Sequence, residues 1–134
     1  MFVEMLKGEL YGAVVTHSYQ DMNDIYIDPD LLDMAGILPN EKIRVVVNGC
    51  GRWYETYVTP HNKRGSREIH LKGNALNYLI GNIPKPYYKA TITDYTVTIM
   101  AFVQLTPEEA VNWKPKVIYL SDNNAQADNL SYYY

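Results

Sequence analysis

The sequence predicts a mainly β fold, a closed barrel with short peripheral helices rather than a sheet layered between long helices. Three observations carry this expectation. The apolar runs are short and rich in β-branched residues, as at residues 13–16, 43–47 and 96–103. Turn chemistry separates them, and Asn48-Gly49 is the strongest hairpin signal among the turns. The helical patterns are few and short.

The elements follow in order. Residues 2–6 read as a strand ending near Gly8, and residues 13–16 as a second. Ile25-Tyr26-Ile27 is a third. Asp28-Pro29 then opens a short helix, with aspartate as N-cap and proline at the first helical position. Leu31, Leu32 and Ala35 form its buried stripe, and Gly36 stops it. Residues 43–47 are almost continuously apolar and predict a buried strand, paired through Asn48-Gly49 with residues 53–59. Residues 60–66 form a basic, polar loop, and Glu68-Ile69-His70-Leu71 alternates as a strand should. Residues 73–78 suit one helical turn. Residues 96–103 are a β-branched strand. Thr106-Pro107-Glu108-Glu109 is a capped helix start, with acids placed favourably for the helix dipole. Residues 117–120 are the last strand. Residues 1–120 are expected to form one barrel domain and residues 121–134 a polar, loosely ordered tail.

Composition narrows the function classes. The 134 residues carry a formal net charge of −3, with acids and bases mixed, so no nucleic-acid or anionic-membrane footprint is expected. The single Cys50 excludes an internal disulfide and suits a reducing compartment. No apolar run has membrane-spanning length and no secretory leader pattern is evident, so a cytoplasmic protein is expected. His17, His61 and His70 are scattered without metal-ligand spacing, so no metal site is expected. Cys50 lies beside a glycine turn and has no nucleophile motif. Lys63, Arg64 and Arg67 read as solvated surface, with an anionic substrate tail or a subunit contact as alternatives.

A series of short stretches adds a resemblance. They are Met5-Leu6-Lys7-Gly8, Val15-Thr16-His17, Ile27-Asp28, Ala35-Gly36-Ile37-Leu38, Asn40-Glu41, Glu55-Thr56-Tyr57, Arg64-Gly65-Ser66-Arg67, Gly73, Pro107-Glu108-Glu109-Ala110 and Trp113-Lys114-Pro115. In order and spacing they resemble the pyruvoyl-dependent aspartate 1-decarboxylase family over about the first 120 residues. The resemblance implies a double-psi β-barrel with short peripheral helices, and a homotetramer with pockets at subunit interfaces. It also implies a small-molecule substrate.

The departures fall where that family does its chemistry. A Gly-Ser pair in the family cleaves itself and the serine becomes the pyruvoyl cofactor; here Asn23-Asp24 stands in its place. The family's lysine after Lys7-Gly8 is Glu9, and its substrate-binding arginine corresponds to Trp53, beside Arg52. Lys72 and Asn74 replace an asparagine and an alanine around Gly73. The chain is one residue shorter before Asp24, and residues 84–96 look like an insertion. Its Pro84, Pro86, Tyr87, Tyr88 and Tyr95 suit either a lid or subunit contact or a surface hairpin.

Asp24 cannot become a pyruvoyl group, so no cofactor is expected. Two readings follow. In the first, the pocket is re-purposed for cofactor-free acid–base chemistry, such as cyclisation, isomerisation or dehydration, on a metabolite bulkier than aspartate. Tyr57, Asp24 and Glu9 are then the catalytic candidates, with Thr56, Trp53, Arg52, Lys72 and Asn74 as substrate-binding residues. In the second, the chain is a non-catalytic homologue that binds a metabolite or an active enzyme. Thr56 and Tyr57 also suit plain strand packing. The first reading is preferred because polar residues are exchanged for other polar residues rather than erased.

Overall fold

The computed structural model describes residues 1–19, 25–48, 51–72 and 96–127. Eight strands lie in one curled sheet: β1 (Val3–Val14), β2 (His17–Tyr19), β3 (Ile25–Ile27), β4 (Lys42–Val47), β5 (Trp53–Pro60), β6 (Ile69–Lys72), β7 (Thr96–Leu105) and β8 (Lys116–Tyr119). Their order is β2-β6-β3-β5-β4-β7-β1-β8, so almost every neighbour is distant in sequence. Two short helices, α1 (Pro29–Ala35) and α2 (Pro107–Ala110), sit at the periphery. This is the mainly β arrangement expected of a double-psi barrel. Among the described residues no helix is long and apolar enough to cross a membrane.

Strand alternation builds the core. On β4, Ile43, Val45 and Val47 are buried, whereas Arg44 and Val46 are only half-buried. The run that reads as uniformly apolar therefore has one core face and one outer face. Leu10, Ile25, Ile27, Val58, Ile69, Leu71 and Ile99 complete the inward set. These residues come from six strands, which is how a barrel of short strands closes around a single apolar centre.

The first two predicted strands are one. β1 runs through Gly8 without a break and pairs with β7 along its whole length. A bulge at Lys7 and another near Gly12 let it bend. Gly8 is a point of close approach, not a stop. A Cβ there would lie 1.9 Å from the carbonyl oxygen of Ala35, at the end of α1. The helix can sit on β1 only because this residue has no side chain. Trp113 anchors the same strand by donating its ring N–H to the Leu6 carbonyl at 2.7 Å.

The ends of α1 form as their sequence dictates. Asp28 caps the helix, Pro29 fills the first position, and Gly36 closes it in the left-handed region at φ 70°. Thr106 and Glu109 form a capping box at α2. The polar stretch after β8 is held rather than loose as far as Ala127. Asn124 is fully buried, accepts from the Val14 N–H at 2.6 Å, and donates to the carbonyls of Val14 and Arg67 at 2.9 Å. Residues 128–134, the expected turn at 73–78 and residues 84–95 of the expected insertion lie outside the described residues, and its last residue, Thr96, is the first of β7.

Asp28 does more than cap. Its side chain is fully buried. One carboxylate oxygen accepts from the N–H groups of Asp30 (3.0 Å) and Gly65 (2.9 Å), and the other from that of Arg67 (2.7 Å). Its own N–H donates to the Glu68 carbonyl. Arg64 reinforces the junction with 2.7 Å bonds to Asp30 and Asp33, so this basic loop is tied to α1 rather than merely solvated. Burial pushes the Asp28 carboxyl up, but the three N–H donors and the Arg67 charge outweigh burial and hold it below the usual range.

Two outcomes are expected. Asp28→Asn turns an acceptor toward the Arg67 N–H into a donor, and should lower unfolding stability by about 3 kcal/mol in urea denaturation. The stabilisation from the depressed carboxyl is complete above the unfolded value near pH ~4 and is lost as pH falls through the lower native value. The wild-type advantage over Asp28→Asn should therefore shrink in that acid window; a constant difference would contradict the clamp. Separately, Gly8→Ala should cost about 3 kcal/mol or more, because backbone must move to admit the methyl. A loss below ~1 kcal/mol would show that α1 does not rest on Gly8.

Candidate functional site

The sequence-predicted residues divide between the two faces of the sheet. Along β5, alternation puts Trp53, Glu55 and Tyr57 outward and Thr56 on the side of buried Val58. Tyr57 is 63% exposed and Trp53 48% exposed. Register then links the outer face across strands: Glu55 lies opposite Arg44, Arg44 opposite Met100, and Met100 opposite Glu9. Glu9, Trp53 and Tyr57 thus share one face. However, β1 and β5 are separated by β7 and β4, so Glu9 lies three strand spacings, about 14 Å along the curled sheet, from the strand of Tyr57. Thr56 faces the other way. Arg52 precedes β5, and its carbonyl accepts from the Val47 N–H. The Lys72 backbone ends β6 beside Tyr19. Asp24 and Asn74 lie outside the described residues.

Trp53 is not an open aromatic wall. The Arg44 guanidinium lies 4.6 Å from its ring centre and 4.9 Å from that of Phe102, and its terminal nitrogen pairs with Glu55 at 3.3 Å. The Arg44 Nε is buried without a hydrogen-bond partner. Glu9 is half-buried, and burial raises its carboxyl above the usual range.

The fold creates a second constellation that the sequence reading did not anticipate. β2 pairs with β6 in parallel register, placing His17 directly opposite His70. Their rings stack with centres 4.2 Å apart, and the His61 ring lies 4.5 Å from that of His70, tilted by 35°. Glu68 Oε1 is 3.0 Å from His70 Nε2 and 3.4 Å from His17 Nδ1. The three histidines that are scattered in sequence therefore converge, and the premise for expecting no metal site falls. No local spacing marks them. Only the β2–β6 register brings residues 17 and 70 together, and nothing in either segment alone encodes it.

Each member is positioned by backbone structure. Thr16 accepts from the Ile69 N–H through Oγ1 at 2.9 Å and donates its proton to the Ile69 carbonyl at 3.0 Å. Its backbone N–H also bonds that carbonyl. Thr16 is therefore an acceptor toward His17 Nδ1, 2.9 Å away. Asp28 fixes Glu68 from one side, and Ser66 Oγ accepts from the Glu68 N–H on the other. His61 Nδ1 accepts from the Lys63 N–H at 3.1 Å, which leaves its proton on Nε2. Tyr26, Pro60, His61, Asn62 and His70 line an open cavity of about 280 Å³ beside the cluster.

Charge is arranged so that the carboxylate is ionised and the buried imidazole neutral. The hydrogen bond from His70 holds Glu68 below its usual range. Burial depresses His70, and this outweighs the opposing pull of Glu68. A neutral imidazole with its proton on Nε2 donates to the carboxylate. Protonating it would set a second charge against the neighbouring histidines. The sign of the linkage follows: with a native value below the unfolded one near ~6.5, stability from neutral His70 is complete above that value and declines as pH falls toward the native value. An NMR titration should place His70 below the ordinary histidine range. A His70 resonance titrating above that range would contradict the neutral-imidazole assignment.

Comparison with known proteins gives the family. The family model described as aspartate decarboxylase matches residues 1–127. A protein of Neisseria meningitidis named aspartate 1-decarboxylase is 40% identical over 98% of this chain and 94% of its own length. One of the same name from Clostridium botulinum is 37% identical over 98% of this chain and 97% of its own length. A third, from Chlorobaculum parvum, is 35% identical over 92% and 88%. Near full-length identity at this level, together with the curled eight-stranded sheet, means that the chain belongs to the aspartate decarboxylase family.

Proposed function

We propose that this chain stays uncut at Asn23-Asp24, forms no pyruvoyl group, and performs proton-transfer chemistry on a small metabolite bulkier than aspartate. The observation that carries this reading is Asp24 itself. Self-processing starts when a side-chain hydroxyl attacks the preceding carbonyl. The resulting ester then eliminates to leave a ketone. No serine, threonine or cysteine occurs between Ser18 and Cys50, so no nearby residue can substitute. Without that ketone, decarboxylation of aspartate has no sink for the electrons released.

In this reading Tyr57 donates a proton or hydrogen bond, Asp24 and Glu9 act as the acid–base carboxyls, and Thr56, Trp53, Arg52, Lys72 and Asn74 shape the binding site. The raised Glu9 carboxyl supports an acid role. The exposure of Tyr57 and Trp53 supports a pocket closed by a neighbouring subunit of a homotetramer, and cytoplasmic location fits small-metabolite chemistry. The relatives, named aspartate 1-decarboxylase, favour a second reading, aspartate 1-decarboxylation.

Incubation with L-aspartate separates the two readings. We expect no β-alanine. Repeated turnover to β-alanine would reject the proposal in favour of the second reading. A metabolite screen by thermal shift, followed by product mass, should then find a ligand that is isomerised or loses water. Tyr57→Phe should lower that turnover by about 100-fold while leaving the melting temperature in place. A ligand that stabilises the protein but is never converted would instead mark a non-catalytic binding homologue.

A further inference from the structure

We propose that His17, Glu68 and His70 form a binding site for a divalent transition-metal ion of the zinc class. The ion would be held by Nδ1, Oε1 and Nε2 respectively, with its remaining coordination open to the cavity lined by Tyr26 and His61. The site is independent of what happens at Asn23-Asp24, because none of its atoms belongs to that segment.

The donor set is the first reason. Two imidazoles and one carboxylate are a ligand combination of zinc sites that keep an open position, and imidazole also suits nickel, copper and iron. Distances are the second. The three ligand atoms lie within 4.8 Å of one another. Donors held about 2.0–2.1 Å from a tetrahedral ion stand roughly 3.3 Å apart. The two separations from Glu68 Oε1, 3.0 Å and 3.4 Å, straddle that value. Binding needs the two stacked rings to tilt toward a common point, and it needs each to carry its proton on the other nitrogen, freeing the Nδ1 that His17 turns to Thr16 and the Nε2 that His70 turns to Glu68.

Preorganisation is the third. His17 and His70 occupy paired positions of two hydrogen-bonded strands, and Glu68 is gripped through its backbone by Asp28 and Ser66. Ligands mounted on strands keep their spacing better than ligands on free loops. His61 stands outside the set. Its Nδ1 is engaged by Lys63, so in the neutral ring Nε2 carries a proton rather than a lone pair, and the ring lies 4.5 Å from that of His70. Lining the same cavity, it is a hydrogen-bond donor for a molecule bound there. An ion there would polarise a carbonyl or activate a water in the adjoining cavity.

The test uses the full chain without a histidine tag, stripped with chelator and dialysed. Calorimetric titration with Zn²⁺ should show one ion per chain at micromolar affinity or tighter. Titration with Co²⁺ should give the intense visible bands of four- or five-coordinate nitrogen–oxygen ligation. Glu68→Gln and His70→Ala should each weaken binding by more than about tenfold. His61→Ala should retain one ion per chain. The Co²⁺ spectrum of the unaltered protein keeps the proposal falsifiable if either ligand variant fails to fold. Absence of stoichiometric Zn²⁺ binding would overturn it. So would a Co²⁺ spectrum indistinguishable from the aquo ion, or affinity untouched in folded Glu68→Gln and His70→Ala. Any of these would leave the cluster as a carboxylate accepting hydrogen bonds from the imidazoles beside it.

Discussion

Most of what is distinctive in this barrel depends on the buried carboxylate of Asp28. A charged group with no solvent contact is tolerated only when its lone pairs are fully used. Here three backbone N–H groups from two separate segments use them. The same side chain thereby starts α1 and fastens the loop that leads into β6. Glu68 and His70 take their places from that loop, and the helix in turn settles on β1 over Gly8. Asn124 adds a second tie, donating to the Arg67 carbonyl while holding both backbone groups of Val14. Two buried polar residues thus fix the geometry that the apolar core alone would leave loose, since apolar contact has no direction.

The sheet separates two candidate surfaces. The outer face of β5, β4, β7 and β1 carries Tyr57, Trp53, Arg44 and Glu9, with exposed aromatic surface and a raised carboxyl. The edge formed by β2, β6 and β3 carries the histidine cluster and its cavity. The family match covers residues 1–127, and on the reading proposed above Asp24 stands where the family's reacting serine would be. Scaffold and chemistry are separable properties of a fold. The scaffold here is that of the aspartate decarboxylase family, and the chemistry must be read from the residues now present.

Local structure was legible where a single residue type decides it. Asp28, Pro29 and Gly36 set the ends of α1, Thr106 and Glu109 form the capping box that opens α2, and β4 pairs antiparallel with β5 as expected. The reading failed where a distant segment decides. Gly8 looks like a strand end because glycine weakens strands in general; it is a strand interior because Ala35 lies against it. The second oxygen of Asp28 binds an N–H 39 residues away. His17 and His70 meet only through a parallel pairing of short strands, which no spacing rule in the chain records. Asn124 looks like polar tail and is buried, because the backbone of Val14 needs its amide. Of the predicted site, the common outer face of Glu9, Trp53 and Tyr57 could be read from period-two alternation, but the separation of Glu9 from β5 needed the strand order.

The central claim is that the reaction centre of the family has been replaced while its barrel is kept, and the mass of the purified protein tests it most directly. Intact-mass spectrometry under denaturing conditions should show one species, the uncut chain of 134 residues. Two species, one ending at Asn23 and the other beginning at position 24 with a ketone in place of its amine, would contradict the account.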